Sequence, residues 1–470
     1  MTRQTILKTK TSPLPHQLEA IDFLVRNNEA ALFDEQGVGK TKELIDAVIT
    51  IIKQKLSDSV LIICPKTILY TWQEEIRKHS YLVPIVLEGE GKSKEYKYLS
   101  FANIYIVNYE GVKAELGVIK LLLESQKFIV VLDESQRIKN PDSQTFKAIN
   151  QIRTLASRRY ILTGTPVANN PVDLWTQFYF IDGGATLGTS FKEFKSRFTK
   201  SKVDKEELIK LREQIRPKSL RRLKGDVLEL PEKIFQSEFV ELAPVQNNIY
   251  NKLRKELLIE VLKTDEKVII DESKAFFKKL LRLVQIASNP GLVVLDYHEI
   301  PAKFIVLDKL LKSIIEKGEK AIIWSSFIDN IKLLKDRYSQ YGPLYIYGDI
   351  AIADRNRSVR LFQEDPTYKI LIANPAAARE GITLTAANNA IYLDRSFNLV
   401  DYLQSQDRIH RISQSKSSNI IKLIARNTVD EFVEDKLSKK QDVAKIIQGD
   451  INDFDTTSYL TKEEIIELLN

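Results

Sequence analysis

The sequence has little of the chemistry that builds disulfide-rich or zinc-stabilised proteins. Its 470 residues include one cysteine, Cys64, and four histidines, which excludes an internal disulfide framework and a Cys/His metal cluster and fits a reducing compartment. Glycine and proline together make up about 7% of the chain, far below low-complexity sequences, so long disorder is not expected. No apolar run reaches the ~18 residues of a membrane span, and residues 1–5 lack the apolar core of a signal peptide. These absences predict a cytoplasmic protein that is not secreted and has no membrane partner.

What the sequence does contain is an ordinary globular composition, with 43% hydrophobic and 28% charged residues. A chain of this length has room for two or three domains with their own cores. Its net charge of +7 and isoelectric point near 9.0 suit a polyanionic partner without requiring one.

Short apolar runs rich in β-branched residues alternate with helix-like stretches, which predicts repeated β-α units around a parallel sheet. The first set of strand candidates is Ala30–Phe33, Val60–Cys64, Ile104–Val107, Phe128–Leu132 and Tyr160–Leu162. The second set is Lys320–Trp324, Leu344–Tyr347, Lys369–Ala373, Ala390–Leu393 and Asn419–Ile424. Between the sets the pattern is helical and highly charged, with one strand-like segment near Ile234–Leu242.

We therefore predict an α/β fold of two parallel-sheet lobes with helical insertions. The N-terminal lobe should span residues 1–225, with a helical protrusion from about 182. The C-terminal lobe should span residues 226–470, with a helical insertion at about 245–300 and C-terminal helices from about 430. Because few residues precede Leu14 and only about 40 follow the second lobe, no fused chromodomain, bromodomain, zinc finger or nuclease is expected.

A glycine-containing segment, Asp34-Glu35-Gln36-Gly37-Val38-Gly39-Lys40-Thr41, lies between the first strand candidate and a helix-like stretch. In a phosphate-binding loop, Gly37 and Gly39 would let backbone N–H groups turn toward phosphate oxygens. Lys40 would reach the β and γ phosphates, and Thr41 would ligate Mg²⁺. The general pattern expects glycine at position 34, and a glycine-punctuated surface turn is the plain alternative.

Two acids, Asp133 and Glu134, follow the apolar strand candidate Phe128–Leu132. A strand that delivers acids at its carboxyl end can present a Mg²⁺ ligand, Asp133, and a group that orients or deprotonates water, Glu134. The same pair also occurs as an ordinary start signal for a helix. Together, the two segments favour nucleotide hydrolysis.

These segments resemble the superfamily-two helicase-type ATPases and, within them, the Swi/Snf-like translocases of double-stranded DNA. That family itself has Asp at the position of Asp34. Leu14-Pro15-His16-Gln17 is similar to its adenine-reading segment, and residues 162–166 are similar to its third motif. The most discriminating match is the run from Leu220 to Lys233, which resembles the signature between the lobes.

In the second lobe, residues 379–387 resemble the fifth motif, and residues 404–414 resemble the sixth. Arg408 and Arg411 are three residues apart, which predicts one helical face with both guanidinium groups aimed at one target. An arginine supplied across a cleft can stabilise charge on a transferring phosphoryl group. The chain departs from the family at Gln136, which replaces the usual His of the acidic box and could loosen its coupling to the third motif.

The resemblance implies two RecA-like lobes with ATP and Mg²⁺ bound in the cleft between them, and it assigns roles residue by residue. The implied catalytic residues are Lys40, Asp133, Glu134, Arg408 and Arg411. The implied ATP-binding residues are Gln17, Gly37, Gly39, Lys40, Thr41 and Gln404, with Thr41 and Asp133 on Mg²⁺. The implied coupling residues are Gln136, Thr163, Thr165 and Gly381.

The same resemblance implies a nucleic-acid track across both lobes. Its implied residues are Lys66, Thr67, Asn108, Ser325, Ser326, Arg379, Thr383 and Thr385, accompanied in the first lobe by Trp72 and Tyr109. These hydroxyls, amides and cations suit phosphate contacts, which position without reading sequence, although each segment could be an ordinary βα loop. No module for sequence readout is visible, so the expected partner is double-stranded DNA of any sequence.

The leading hypothesis is an ATP-driven motor that moves along duplex DNA and displaces or remodels bound complexes, nucleoid-associated or, in a eukaryote, nuclear. A targeting protein partner would then direct it. One alternative is a helicase that separates strands, and another is a DNA-binding scaffold switched by nucleotide without productive turnover. ATPase rates with and without duplex DNA separate the scaffold from the two enzymes, and strand displacement separates the helicase from the translocase.

Overall fold

The structure, a computed structural model, describes residues 7–167, 170–198, 205–264, 273–377, 382–448, 450 and 462–469. The chain divides into two units. The first comprises Met1–Glu229 and Asp442–Thr456, and the second comprises Leu230–Gln441 and Thr457–Asn470. The boundary between residues 225 and 226 and the limits of the insertions stay predictions.

The first unit contains a seven-stranded sheet of order β3-β4-β2-β5-β6-β1-β7, in which every pairing is parallel. Its strands are β1 Glu29–Leu32, β2 Ser59–Cys64, β3 Pro84–Val86, β4 Ile104–Asn108, β5 Phe128–Asp133, β6 Arg158–Leu162 and β7 Ser219–Leu220. The helices are Pro15–Arg26, Lys40–Lys53, Leu69–His79, Gly91–Leu99, Tyr109–Ala114, Leu116–Glu124, Gln144–Arg153, Asp173–Asp182, Phe191–Ser196, Lys205–Ile215 and Lys224–Val227.

The central strands β2 and β5 are apolar along almost their whole length because helices cover both faces of the sheet. Every residue of β2 is buried, and so are all residues of β5 before Asp133. In register, Leu61 of β2 pairs with Tyr105 of β4 on one side and with Val130 of β5 on the other. The sheet is therefore a rigid support whose carboxyl edge carries the polar residues.

The second unit contains a six-stranded, wholly parallel sheet of order β10-β11-β9-β12-β13-β8. Its strands are β8 Lys233–Val240, β9 Ala321–Trp324, β10 Leu344–Ile346, β11 Ile370–Ala373, β12 Asn389–Tyr392 and β13 Ser418–Ala425. The remaining helices are Pro244–Lys263, Ser273–Ser288, Ala302–Glu316, Ile328–Arg337, Ile352–Glu364, Leu399–Gln406, Lys462–Leu469 and Val429–Gln448, of which the last has its residues from 442 onward in the first unit.

The predicted fold class of two parallel α/β lobes with helical insertions is confirmed. All ten strand candidates are present, with ends within two residues of their predicted positions. The pattern missed β3 and β7, which have only three and two residues. The segment Ile234–Leu242 corresponds to β8, which pairs in parallel with β13 along eight residues. Among the described helices, none has the combination of length and apolar character that crossing a membrane requires.

Candidate nucleotide and nucleic-acid site

Apart from Gln17, the predicted nucleotide residues of the first unit lie at or just after the carboxyl ends of three neighbouring strands, β5, β6 and β1. Asp133 ends β5, Thr163 follows β6, and the loop 33–39 follows β1. Ligands of open parallel sheets bind at this edge because the loops there converge. The topology thus brings together segments that are up to 130 residues apart in the sequence.

The loop after β1 has the geometry of a phosphate cradle. Gly37 and Gly39 have φ angles of 88° and 115°, which residues with a side chain rarely adopt. A Cβ on Gly39 would lie 2.1 Å from Nε2 of Gln17, so a side chain there would displace Gln17. The Lys40 ammonium group donates to the carbonyl oxygens of Asp34, at 2.6 Å, and Glu35, at 3.0 Å. With the N-terminus of the helix Lys40–Lys53 behind it, the loop fits a bound phosphate.

The Leu14–Gln17 segment supports this loop from the side. Gln17 is 4% exposed, and its Oε1 accepts from the backbone N–H of Leu14 at 2.9 Å, which caps the helix Pro15–Arg26. The His16 ring nitrogen Nε2 lies 2.9 Å from the Val38 carbonyl oxygen. The segment therefore packs on the loop where adenine-side contacts are predicted.

Arg222, from the segment that resembles the signature between lobes, is the cation beside this loop. It forms ion pairs with Asp34 and with Glu43, the latter at 2.7 Å, and it donates to the His16 carbonyl oxygen. Both acids are fully buried. Burial and the charge of Asp34 raise the pKa of Glu43 to about 8, while Arg222 lowers it. Asp34, which stands where the general pattern has glycine, is thus one half of a buried ion pair.

Asp133 is held on three sides. Its Oδ2 accepts from Nε1 of Trp72 at 2.8 Å, and its Oδ1 accepts from the Glu134 backbone N–H at 2.9 Å. The Tyr109 hydroxyl donates to the Asp133 carbonyl oxygen at 2.7 Å. Burial and the negative charge of Glu134 raise the pKa of Asp133 to about 7, which the Trp72 hydrogen bond and Lys40 oppose.

Glu134 connects the acid pair to the third motif. Its backbone is left-handed, with φ 52°. Its two carboxylate oxygens accept from the amides of Gln36, at 3.4 Å, and Gln136, at 2.6 Å. The Thr163 hydroxyl donates to Oε1 of Gln136 at 2.7 Å and accepts from the Thr165 backbone N–H at 3.0 Å. The glutamine that replaces histidine therefore bridges Glu134 and Thr163 directly.

These side chains share one electrostatic environment. Burial lowers the pKa of Lys40 below its ordinary value, and the charges of Asp34, Glu134 and Asp133 oppose this effect only in part. Within the described ranges, no group of three or more His, Cys, Asp or Glu side chains is placed to hold a metal ion. Mg²⁺ usually takes one or two protein oxygens together with water and phosphate, so a donor set of the Thr41 hydroxyl and the Asp133 carboxylate fits it.

In the second unit, the prediction that Arg408 and Arg411 share a helical face is wrong. The helix Leu399–Gln406 ends before them, and residues 407–413 form turns. Buried polar side chains there bond backbone groups instead of continuing the helix, as His410 does to the Pro231 carbonyl oxygen at 2.8 Å.

The two arginines are nevertheless neighbours on one segment. Arg408, 2% exposed, donates to the Ile382 carbonyl oxygen at 3.2 Å, and Arg411 donates to the Thr383 hydroxyl at 2.7 Å. Burial and the like charge of Arg408 lower the pKa of Arg411 to about 9. Gln404 is fully buried on the preceding helix, and its carbonyl oxygen accepts from Nε of Arg408 at 2.9 Å.

The predicted nucleic-acid residues differ in accessibility. Lys66 and Thr67 are exposed, with the Lys66 ammonium 3.6 Å from Glu88. The Asn108 side chain caps the helix Tyr109–Ala114 by accepting from the Gly111 N–H at 2.6 Å.

On the second unit, the Ser325 hydroxyl is buried and donates to Asp394 at 2.6 Å, and the Ser326 backbone N–H donates to the same carboxylate. The Thr385 hydroxyl lies on the surface, 2.9 Å from that of Ser413. Arg379 and Gly381 lie outside the described residues.

Sequence reasoning missed the roles of Trp72, Arg222 and Asp394. Trp72, grouped with the nucleic-acid track, is 3% exposed and bonds Asp133. The sequence assigns Arg222 no role beyond its place in the segment that resembles the signature between the lobes. Asp394 orients the Ser325–Ser326 loop. The sequence indicates these roles only weakly, because each side chain meets a partner that is distant in the sequence and adjacent only in the folded protein.

Family models match most of the chain. A model of the SNF2-related domain covers residues 16–292. The chain belongs to this family. A model of the helicase conserved C-terminal domain covers residues 302–413 of the same SNF2-related chain, so the predicted family resemblance is confirmed.

Several curated relatives align with nearly the whole chain. An "Uncharacterized ATP-dependent helicase" of Mycoplasma pneumoniae is 31% identical over 93% of this chain and 42% of its own length. The "Chromodomain-helicase-DNA-binding protein 1-like" of Mus musculus is 25% identical over 92% of this chain and 49% of its own length. The "Transcription regulatory protein SNF2" of Saccharomyces cerevisiae is 27% identical over 96% of this chain and 28% of its own length. The chain thus spans less than half the length of these relatives.

Among solved structures, the chain is similar to a "Sulfolobus solfataricus SWI2/SNF2 ATPase core in complex with dsDNA". The sequence identity is 26%, the match covers 94% of each chain, and the TM-score is 0.45.

Proposed function

We propose that this chain hydrolyses ATP with Mg²⁺ and uses the energy to move along double-stranded DNA, displacing or remodelling what is bound there. One observation carries the proposal. The Gln36 amide, on the glycine-containing loop, donates to the Glu134 carboxylate at 3.4 Å, which supports a phosphate-binding loop and an acid pair acting as one site in a member of the SNF2-related family. Relatives whose names include ATP-dependent helicase and DNA-binding protein support the choice of substrate and partner.

In this proposal, backbone N–H groups of residues 37–41 and the Lys40 ammonium group bind the phosphates of ATP. Lys40 would exchange its bonds to the loop carbonyl oxygens for bonds to phosphate oxygens. Thr41 and Asp133 would hold Mg²⁺. When bound, the ion would neutralise charge on the β and γ phosphates. Arg222 keeps the charge of Asp34 compensated, so the loop does not repel the nucleotide.

Glu134 would orient the attacking water and accept its proton. Its carboxylate is held by the amides of Gln36 and Gln136, which donate hydrogen bonds and so keep it pointed in one direction. The Gln136–Thr163 bond links that orientation to the third motif. A displacement of Thr163 would therefore change the alignment of Glu134.

We further propose that Arg408 and Arg411 act on the phosphoryl group during transfer, when negative charge spreads over its oxygens. Both donate to the segment 382–383, which contains Thr383 and lies close in sequence to Thr385 of the proposed nucleic-acid track. The segment 382–385 would thus contact both the bound DNA and the two arginines that act on the reacting phosphate.

Duplex DNA would contact the exposed Lys66 and Thr67 and the neighbouring Asn108 in the first unit, and Thr383 and Thr385 in the second. Hydroxyls, amides and single cations bind phosphate rather than base edges, so binding would be independent of sequence. The motor would work where chromosomal DNA lies, in a nucleoid or nucleus, with a protein partner that targets it.

The test is the ATPase rate at matched salt without nucleic acid and with duplex DNA, single-stranded DNA or RNA. We expect the duplex to stimulate turnover most, and Glu134→Gln to abolish the stimulated rate. Rates that do not respond to any nucleic acid would contradict the motor and favour a nucleotide-switched scaffold. Stimulation by single strands or RNA alone would favour a helicase.

A further inference from the structure

Two aromatic side chains converge on Asp133 from different segments of the first unit. Trp72 lies in the helix Leu69–His79 after β2, and Tyr109 begins the helix Tyr109–Ala114 after β4. Both are almost fully buried, with exposures of 3% and 2%. Trp72 donates its indole N–H to Oδ2 of Asp133, and Tyr109 donates its hydroxyl to the Asp133 carbonyl oxygen.

Two hydrogen bonds to its carboxylate oxygens fix the orientation of the Asp133 side chain. Each carboxylate oxygen of Asp133 accepts one hydrogen bond, from Trp72 or from the Glu134 backbone N–H, and each keeps further lone pairs for a cation. Hydrogen bonds to a ligating carboxylate orient it, and their loss typically lowers metal affinity 10–100-fold. An indole N–H can only donate, so Trp72 holds Oδ2 of Asp133 as an acceptor in one fixed orientation.

The same two segments carry the proposed DNA contacts of this unit. Lys66 and Thr67 are on the turn Lys66–Ile68, directly before the helix of Trp72. Asn108 is the cap of the helix that Tyr109 begins. Strands β2 and β4 pair directly, with Cys64 opposite Asn108, so both segments leave the sheet side by side. A phosphate bound there would restrain both aromatic side chains.

We propose that Trp72 and Tyr109 are positioning residues through which duplex DNA at Lys66, Thr67 and Asn108 sets the Asp133 carboxylate for Mg²⁺. This inference rests on the proposed function, since it assumes that DNA and Mg²⁺-nucleotide bind this unit. Coupling between two binding sites is reciprocal. Mg²⁺-nucleotide should therefore tighten DNA binding by the same factor by which DNA tightens Mg²⁺-nucleotide binding.

The experiment uses the full chain with Trp72→Phe, which keeps an aromatic ring but loses the N–H, and Tyr109→Phe, which loses only the hydroxyl. The matched controls are Trp175→Phe, whose buried indole donates to the Gly188 carbonyl oxygen, and Tyr105→Phe, whose hydroxyl donates to the Ser100 carbonyl oxygen. Thermal unfolding curves check that all four variants fold.

Two binding measurements serve as readouts. The first is the Mg²⁺ concentration that half-saturates binding of a fluorescent ADP, with and without duplex DNA. The second is duplex affinity by anisotropy, with and without ADP and Mg²⁺. We expect Trp72→Phe to raise the half-saturating Mg²⁺ concentration about tenfold and to abolish the mutual tightening. Tyr109→Phe should weaken the coupling in the same direction, and the controls should match the parent.

The outcomes separate this inference from the proposed function. If the parent binds neither Mg²⁺-nucleotide nor duplex DNA, the proposed function fails. If the parent shows duplex-stimulated ATPase and mutual tightening, and Trp72→Phe and Tyr109→Phe behave like their controls, the positioning role is overturned. If Trp72→Phe does not fold, Tyr109→Phe alone tests the inference. Mutual tightening in Tyr109→Phe as large as in the parent would then overturn it.

Discussion

Replacing Arg222 by alanine should destabilise the first unit strongly, because it leaves two buried acids without their cation. The side chain pairs with Asp34 and Glu43 and donates to the His16 carbonyl oxygen. Both acids have no exposed surface. Removing one partner of a buried ion pair typically costs about 3–5 kcal/mol, and we expect a loss in this range.

The loss should depend on pH in a defined direction. Burial and the charge of Asp34 raise the pKa of Glu43 to about 8 in the parent, so folding favours the protonated acid. The free energy of unfolding therefore falls as pH rises from the ordinary pKa of a glutamate toward 8. Without Arg222 the pKa of Glu43 rises further, and the variant continues to lose stability above pH 8 where the parent does not. The difference should grow by about 1.4 kcal/mol per pH unit.

Urea unfolding between pH 6.5 and 9.5 measures both effects, with tryptophan fluorescence as the probe. Adding Glu43→Gln to Arg222→Ala should remove the pH-dependent part, since no titrating acid remains at position 43. Arg216→Ala is the control, because its side chain is 78% exposed, and it should cost less than about 0.5 kcal/mol. A loss below about 1 kcal/mol for Arg222→Ala, or a difference that stays flat above pH 8, would refute the reasoning.

The proposed chemistry gives three further predictions. Lys40→Ala should lose ATP binding, whereas Glu134→Gln should bind ATP but not hydrolyse it, measured by nucleotide titration and phosphate release; hydrolysis near the parental rate by Glu134→Gln would contradict its role. Arg408→Ala and Arg411→Ala should each lower DNA-stimulated turnover at least about a hundredfold with little loss of ATP affinity; weaker binding with unchanged saturated turnover would count against both. Duplex affinity should fall steeply with salt and show little sequence preference, and a salt-independent affinity measured by anisotropy would argue against phosphate contacts.

Much of the fold could be predicted from the sequence because buried parallel strands read as continuous apolar runs. The strand β5 combines such a run with an acid at its end, so both its position and the side of the sheet that carries Asp133 follow from pattern alone. The strands β3 and β7, with three and two residues, are too short to give a pattern. They form because neighbouring strands already present unpaired backbone groups.

The site residues could be named from motif spacing, but their partners could not. Nothing in the local sequence of Trp72 indicates that its indole meets an acid 61 residues away. The i to i+3 spacing of Arg408 and Arg411 favoured a helix, but backbone contacts made by His410 and its neighbours end it. Ser325 shows the same limit: it is predicted to contact nucleic acid, but its buried hydroxyl donates to Asp394.

The most direct test of the central claim is displacement of a third strand from a DNA triplex, followed alongside unwinding of a forked duplex under the same conditions. A motor that tracks along intact duplex removes the third strand without separating the two below it. We therefore expect ATP-dependent triplex displacement by the parent, none by Glu134→Gln, and no unwinding of the fork. Efficient unwinding of the fork, or displacement that proceeds without ATP hydrolysis, would contradict the account.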